Sequence, residues 1–222
     1  MTTRRPTIAI DGPAGAGKST AARRLAAELG YEYVDSGALY RVVGLAGHER
    51  GLDGSDPDAA AAMIASLEIE VTEGPGGQRV LLDGRDVTLA IRAPEAGERA
   101  SRLAALPPVR AALIARQRAY AARGGIVMEG RDIGTVVVPD ADHKFFVTAS
   151  VEERARRRHA EHPEEALEAI REAIVARDLR DQGRAVAPLR PAPDAEVLDT
   201  SGLSLAEVVE VLALKVRKPP RP

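Results

Sequence analysis

Apolar and polar positions along this chain change period several times, and the order of those changes outlines a fold. Ile8-Ala9-Ile10 is a short apolar, β-prone run. After a glycine-rich break, Ala22, Leu25, Ala26 and Leu29 recur at the spacing of one helical face. Gly30 ends that helix, and Tyr31-Glu32-Tyr33-Val34 predicts a second strand running into Asp35-Ser36-Gly37. Two strands separated by one helix predict a parallel βαβ unit. Ala38 to His48 has helical character, Asp53 to Asp58 is turn-rich, and Pro57 opens a short helix to Ser66. The period then drops to two. Leu67, Ile69 and Val71 alternate with Glu68, Glu70 and Thr72; Gly74-Pro75-Gly76-Gly77 turns the chain and Val80 to Leu82 returns. Asp83-Gly84 predicts a hairpin turn into a third strand, Arg85 to Thr88. Such an antiparallel unit is foreign to a βαβ succession, so it marks an insertion, by itself a structural flap.

Pro94 predicts a helix start, running through Leu103; Pro107-Pro108 breaks it, and Val109 to Arg123 predicts another helix, ended by Gly124-Gly125. Ile126 to Glu129 and His143 to Val147 follow as buried strands. Ser150 with Glu153 predicts a capping box on a helix carrying Arg154, Arg156, Arg157 and Arg158, either a solvated face or a phosphate-covering lid. His162-Pro163 interrupts it and a helix resumes to Asp178. Val197-Leu198-Asp199 is the last strand, and Ser204 with Glu207 caps a final helix with the apolar face Leu205, Val208, Val209, Leu212 and Val216. The fold class is therefore α/β, a doubly wound five-stranded parallel sheet, whose ligands gather at the carboxyl ends of the strands.

Composition narrows the function. At 222 residues the chain can bury a full core, and one domain with an insertion is expected. A formal charge of −2 and 3% aromatic residues give neither a basic field nor a stacking platform for a nucleic acid polymer. The absence of cysteine removes disulfides and thiolate chemistry. None of the four histidines has a partner at metal-ligand spacing, so exposed helix or loop positions are expected for them. No apolar run is long enough for a membrane span, and a cytoplasmic monomer without a membrane partner is the expectation.

The break after the first strand carries the chemistry. Gly12-Pro13-Ala14-Gly15-Ala16-Gly17-Lys18-Ser19 fits the P-loop pattern, and it stands between a strand and a helix as that pattern requires. Glycines let the backbone wrap with its N–H groups inward, and the helix N-terminus adds positive character, so polyphosphate is the matching ligand. Lys18 would meet the β- and γ-phosphates and the Ser19 hydroxyl a Mg²⁺ ion. Only four residues are lysine, whereas 27 of the 31 basic residues are arginine, whose guanidinium forks bind phosphate bidentately. A guanine-reading N-K-x-D segment is excluded because the chain contains no asparagine. A small-molecule kinase remains, for a nucleotide or a small hydroxyl substrate, with a nucleotide-responsive binding module as the other class.

Five separated segments then coincide in order: Asp11 with Gly12 to Thr20, Asp35-Ser36-Gly37-Ala38-Leu39-Tyr40-Arg41, Gly130-Arg131-Asp132-Ile133-Gly134-Thr135-Val136-Val137, Arg177-Asp178 with Asp181, and Arg184-Ala185-Val186-Ala187-Pro188-Leu189. Together they resemble the bacterial cytidylate (CMP) kinase family across nearly the whole chain. The resemblance implies phosphoryl transfer from ATP to CMP and dCMP, with Mg²⁺. It also implies a core of 1–35, 103–150 and 190–222, a nucleotide-binding insertion of 36–102 and a short lid of 151–189. Gly12 through Thr20, with Lys18, would hold ATP and Ser19 the metal, with Arg157 as the lid arginine. Arg41, Arg131 and Arg184 match the arginines around the acceptor phosphate, next to Ser36 and Gly37. Ser101, Arg110 and Asp132 match the cytosine-reading positions, and Arg177 and Asp181 those at the ribose. Glu129 stands where the family pattern has aspartate.

Overall fold

The computed structural model describes residues 4–74, 77–93, 95–184 and 186–217. The expected turn at Pro75-Gly76, the expected helix start at Pro94, Ala185 and the tail from Lys218 lie outside these residues. The chain folds into two compact units, Met1–Asp35 with Tyr120–Pro222, and Ser36–Ala119.

The first unit is built on strands β1 (Thr7–Asp11) and β2 (Glu32–Asp35) joined by helix α1 (Lys18–Leu29). In the second unit come α2 (Ser36–Glu49), α3 (Pro57–Ser66), β3 (Ile69–Gly74), β4 (Gly77–Leu82), β5 (Arg85–Asp86), α4 (Ala96–Leu103) and all but the last two residues of α5 (Pro107–Ala121). The chain returns to the first unit with β6 (Ile126–Gly130), β7 (His143–Thr148), α6 (Val151–Glu161), α7 (Leu167–Gln182), β8 (Glu196–Asp199) and α8 (Leu205–Val216). The sheet order is β2-β6-β1-β7-β8 with every pairing parallel. This is the doubly wound sheet expected, with the glycine loop leaving its central strand. β1 and β6 are buried at every position, as strands covered on both faces must be. Ile8, Ile10, Val127, Phe145 and Val147 meet Leu25 of α1 and Leu212 of α8 in one apolar cluster.

The Ser36–Ala119 unit has a separate core around Leu39, Val42, Val43, Met63, Ile91 and Leu113. Its antiparallel sheet, β3-β4-β5, pairs Ile69 with Leu82 and Val71 with Val80. Here the expected third strand shrinks to Arg85–Asp86, because Thr88 turns its hydroxyl onto the Val80 amide and Asp86 accepts from the Thr88 amide. Pro107-Pro108 does not break a helix but begins α5: at a helix N-terminus a missing N–H costs nothing. Gly44 and Gly47 of α2 admit α4. A Cβ on Gly44 would lie 2.6 Å from the Ala100 amide nitrogen, and one on Gly47 2.5 Å from Leu103 Cδ1.

The sequence predicts capping boxes at two other helices. Ser204 and Glu207 of α8 form the full reciprocal box. At α6 the Ser150 hydroxyl accepts from the Glu153 amide, but the Glu153 carboxylate is engaged by Arg156 and Arg157. Charge-assisted partners displace the neutral backbone N–H that a capping box would offer. Among the described residues no helix is long and apolar enough to cross a membrane.

Candidate active site

The parallel register brings acidic groups together at the carboxyl end of the sheet. Asp11 lies beside Gly130, and Glu129 lies between Ile10 and Asp35 on neighbouring strands. From the same edge the chain enters the glycine loop. Gly12 has φ 145, and a Cβ there would fall 1.9 Å from the Val147 carbonyl oxygen, so only glycine fits this close approach. Gly17, at φ 83, caps α1 without a side chain and leaves its first amides open for an anion.

Lys18 is buried and its ammonium donates to the Pro13 carbonyl at 2.6 Å, inside its own loop. Burial first, and the nearby Arg131 charge second, push its pKa down to about 7, against the pull of Glu129. Ser19 donates its hydroxyl to Glu129 Oε1 at 2.7 Å, and Tyr33 approaches the same oxygen at 3.5 Å. Burial first and the Asp35 charge second raise the Glu129 carboxyl, and burial raises the Tyr33 phenol. Tyr33 carries no site signal in the sequence; only the strand register reveals it.

Asp11 has a supporting task. Its two oxygens accept from the amides of Ile133 and Gly134, both at 2.8 Å, and burial raises it to about 6 in spite of them. That pair of bonds pins a π-helical turn, Ile133–Val137, in which the amides of Val137 and Val138 reach back five residues to Asp132 and Ile133. Such turns re-aim the residues that enter them, here Arg131 and the buried Asp132.

Asp181 of α7, only 2% exposed, is the meeting point of three arginines. Arg184 donates to its Oδ1 at 2.6 Å, Arg131 to its Oδ2 at 3.2 Å, and Arg177 stands 4.0 Å from the same oxygen. Thus Arg177, Asp181 and Arg184, from α7 and the residues just after it, form one cluster with Arg131, which follows β6. Arg157 lies against the loop on another side: it donates to Thr200 Oγ1 and Thr200 O, and its Nη1 is 3.6 Å from where a Gly17 Cβ would stand. Thr200 is not legible in the sequence, since one threonine after a strand has no distinguishing context. In the Ser36–Ala119 unit, Ser36, Gly37 and Arg41 share α2, Ser101 follows the Ala100 that packs on that helix, and Arg110 is buried on α5.

The histidines correct an expectation. His48 is exposed, but His143 sits inside β7, where burial lowers its pKa, and His159 is half-buried with Nδ1 2.9 Å from the Glu165 carbonyl oxygen. Helix ends and strand packing cover them. His162, Glu164 and Glu165 do gather within 4.8 Å at the joint of α6 and α7, a trio that paired-histidine spacing does not reveal.

Comparisons with known proteins place the chain in a family. Residues 8–218 match the family described as cytidylate kinase. A cytidylate kinase of Exiguobacterium sibiricum is 50% identical over 206 residues, covering 91% of this chain and 92% of that protein. One of Pseudomonas savastanoi is 48% identical over 216 residues, covering 95% and 94%. An uncharacterized protein of Eubacterium ventriosum, 11% identical, superposes with a TM-score of 0.54 over 96% of this chain and 99% of its own, a likeness of fold alone.

Proposed function

The chain belongs to the cytidylate kinase family, and from that premise we propose how its residues divide the work of moving the γ-phosphoryl group of ATP onto CMP and dCMP. The observation that carries the reading is the glycine loop with its buried lysine, set at the same sheet edge as the cluster around Asp181. The amides of Gly12 through Thr20 hold the ATP phosphates, and Lys18 neutralises the β- and γ-oxygens. No protein nucleophile is needed. A phosphate oxygen of CMP attacks the γ-phosphorus, the bond to the β–γ bridging oxygen breaks, and ADP leaves as CDP forms. Two anions brought in line repel each other, so catalysis is chiefly charge neutralisation and positioning. Arg41, Arg131 and Arg184 are assigned to the acceptor phosphate, with Ser36 and Gly37; Arg177 and Asp181 are assigned to the ribose, and Arg157 to the ATP side.

The hard-oxygen set of Ser19, Glu129 and Asp35 fits Mg²⁺, because a cation there would offset the burial and the Asp35 charge that raise the Glu129 carboxyl. When bound it would add positive charge at the transferring phosphoryl group. Asp132 accepts from the cytosine N4 amino group, while Ser101 and Arg110 donate to O2 or N3. Uracil presents an oxygen in place of that amino group, so UMP is disfavoured. The insertion, 36–102, and the lid, 151–189, close on the substrates and exclude water as a competing acceptor. The enzyme is assigned to the cytoplasm and acts as a monomer.

A coupled ADP-release assay with CMP, dCMP, UMP and AMP tests the reading. CMP and dCMP should be turned over fastest. A preference for UMP or AMP overturns the base assignment, and ATP binding without ADP formation makes the chain a binding module. Asp132→Ala should erode the preference for CMP over UMP by about tenfold or more, the scale of one lost charge-assisted hydrogen bond. An equal loss with every acceptor would contradict the assignment.

A further inference from the structure

One more side chain reaches the glycine loop, from behind. Arg154, in the first turn of α6, is only 4% exposed. Its Nη1 donates to the Ala14 carbonyl at 3.1 Å and to Asp178 Oδ1 at 3.1 Å, its Nη2 to Asp178 Oδ2 at 2.5 Å, and its Nε to the Ala149 carbonyl at 3.0 Å. The stem of the same residue lies under Gly15, where a Cβ would come 3.2 Å from Arg154 Cβ. Asp178 belongs to α7, so this one guanidinium ties two helices and the end of β7 to the loop.

The bond to Ala14 has a directional consequence. In a trans peptide the carbonyl and the following N–H point opposite ways. A cation fixed on the Ala14 oxygen therefore holds the Gly15 N–H away from Arg154. Gly15, at φ 77, is free to accept this orientation. We propose that Arg154, clamped by Asp178, is a positioning residue for ATP: it sets the Ala14–Gly15 peptide so that the Gly15 amide serves the phosphate cradle. A fork is needed because one planar group must satisfy a carboxylate and two carbonyls at fixed angles, which an ammonium does not match. The proposal rests on the reading that the loop binds ATP.

The test compares Arg154→Ala, Arg154→Lys and Asp178→Asn with Arg156→Ala, an exposed control whose guanidinium pairs with Glu153. KM for ATP, KM for CMP and kcat are measured at a temperature where circular dichroism shows each variant folded. Arg154→Ala should raise KM for ATP about tenfold or more with KM for CMP within about twofold. Arg154→Lys should stay impaired, Asp178→Asn should shift in the same direction, and Arg156→Ala should match the parent. Equal rises in both KM values, or no change in KM for ATP, overturn the proposal and leave the pair as a tie between helices. If Arg154→Ala does not fold, the near-isosteric Asp178→Asn decides. Calorimetric titration of ADP into the same proteins reports on the loop even if the parent forms no ADP from CMP, which separates failure of this proposal from failure of the functional reading.

Discussion

Lys18 illustrates how far a side chain can be driven from its habit while it waits for substrate. Buried, facing Arg131 and bonded to a neutral carbonyl of its loop, it is held at about 7. The sign follows directly. A lysine lowered from 10.5 binds fewer protons folded than unfolded between about pH 7 and 10.5, so its contribution to the stability of the nucleotide-free protein rises with pH across that window. Polyphosphate reverses the balance by favouring the charged form. At pH 8, ATP binding should therefore take up protons, seen as a calorimetric enthalpy that changes with the ionisation heat of the buffer, and Lys18→Ala should abolish that uptake. The same substitution should leave the circular dichroism unchanged and lower kcat/KM by about a thousandfold, the scale of removing a principal charge stabiliser. Unaltered turnover would remove Lys18 from the mechanism. The lysine is legible in the sequence because its pattern is local. Tyr33, Thr200 and the tie from Arg154 to Ala14 are not, because each arises from the meeting of segments that no spacing announces.

At the scale of elements, periodicity works where one face is buried and fails where a local polar group chooses another partner. Helices α1 and α8, each with one apolar face, are readable for that reason. The π-helical turn at Ile133 is hidden because its cause, Asp11, lies more than a hundred residues away in sequence. The two glycines of α2 give a sharper test of packing. Replacing glycine by alanine inside a helix gains about 1 kcal/mol in propensity. Gly47→Ala would press on the far end of the Leu103 side chain, which can turn aside, and should be near neutral. Gly44→Ala would press on backbone at Ala100 and should lose about 1–3 kcal/mol net, read from urea unfolding. Equal stability of the two variants would refute this account of the helix pair.

For the whole molecule, the division into two compact units means that a ligand need not steady all of it equally. ATP at a hundred times its Kd should add about 2.7 kcal/mol to the unit that holds the loop. Hydrogen exchange should then slow across β1 and α1 while the β3-β4-β5 sheet exchanges as before. Protection spread evenly through both units would contradict that localisation. The near balance of charges, −2 over the full chain, describes the molecule only as an average. Locally, Asp181 already serves as a tenant anion among Arg131, Arg177 and Arg184. On the assignment proposed above, the acceptor does not enter an empty cationic bowl but competes with a resident carboxylate. A doubly charged monoester can draw those arginines off it and leave the carboxylate to the ribose, while a nucleoside stripped of its phosphate has no anion to offer them and is turned away before its base is read.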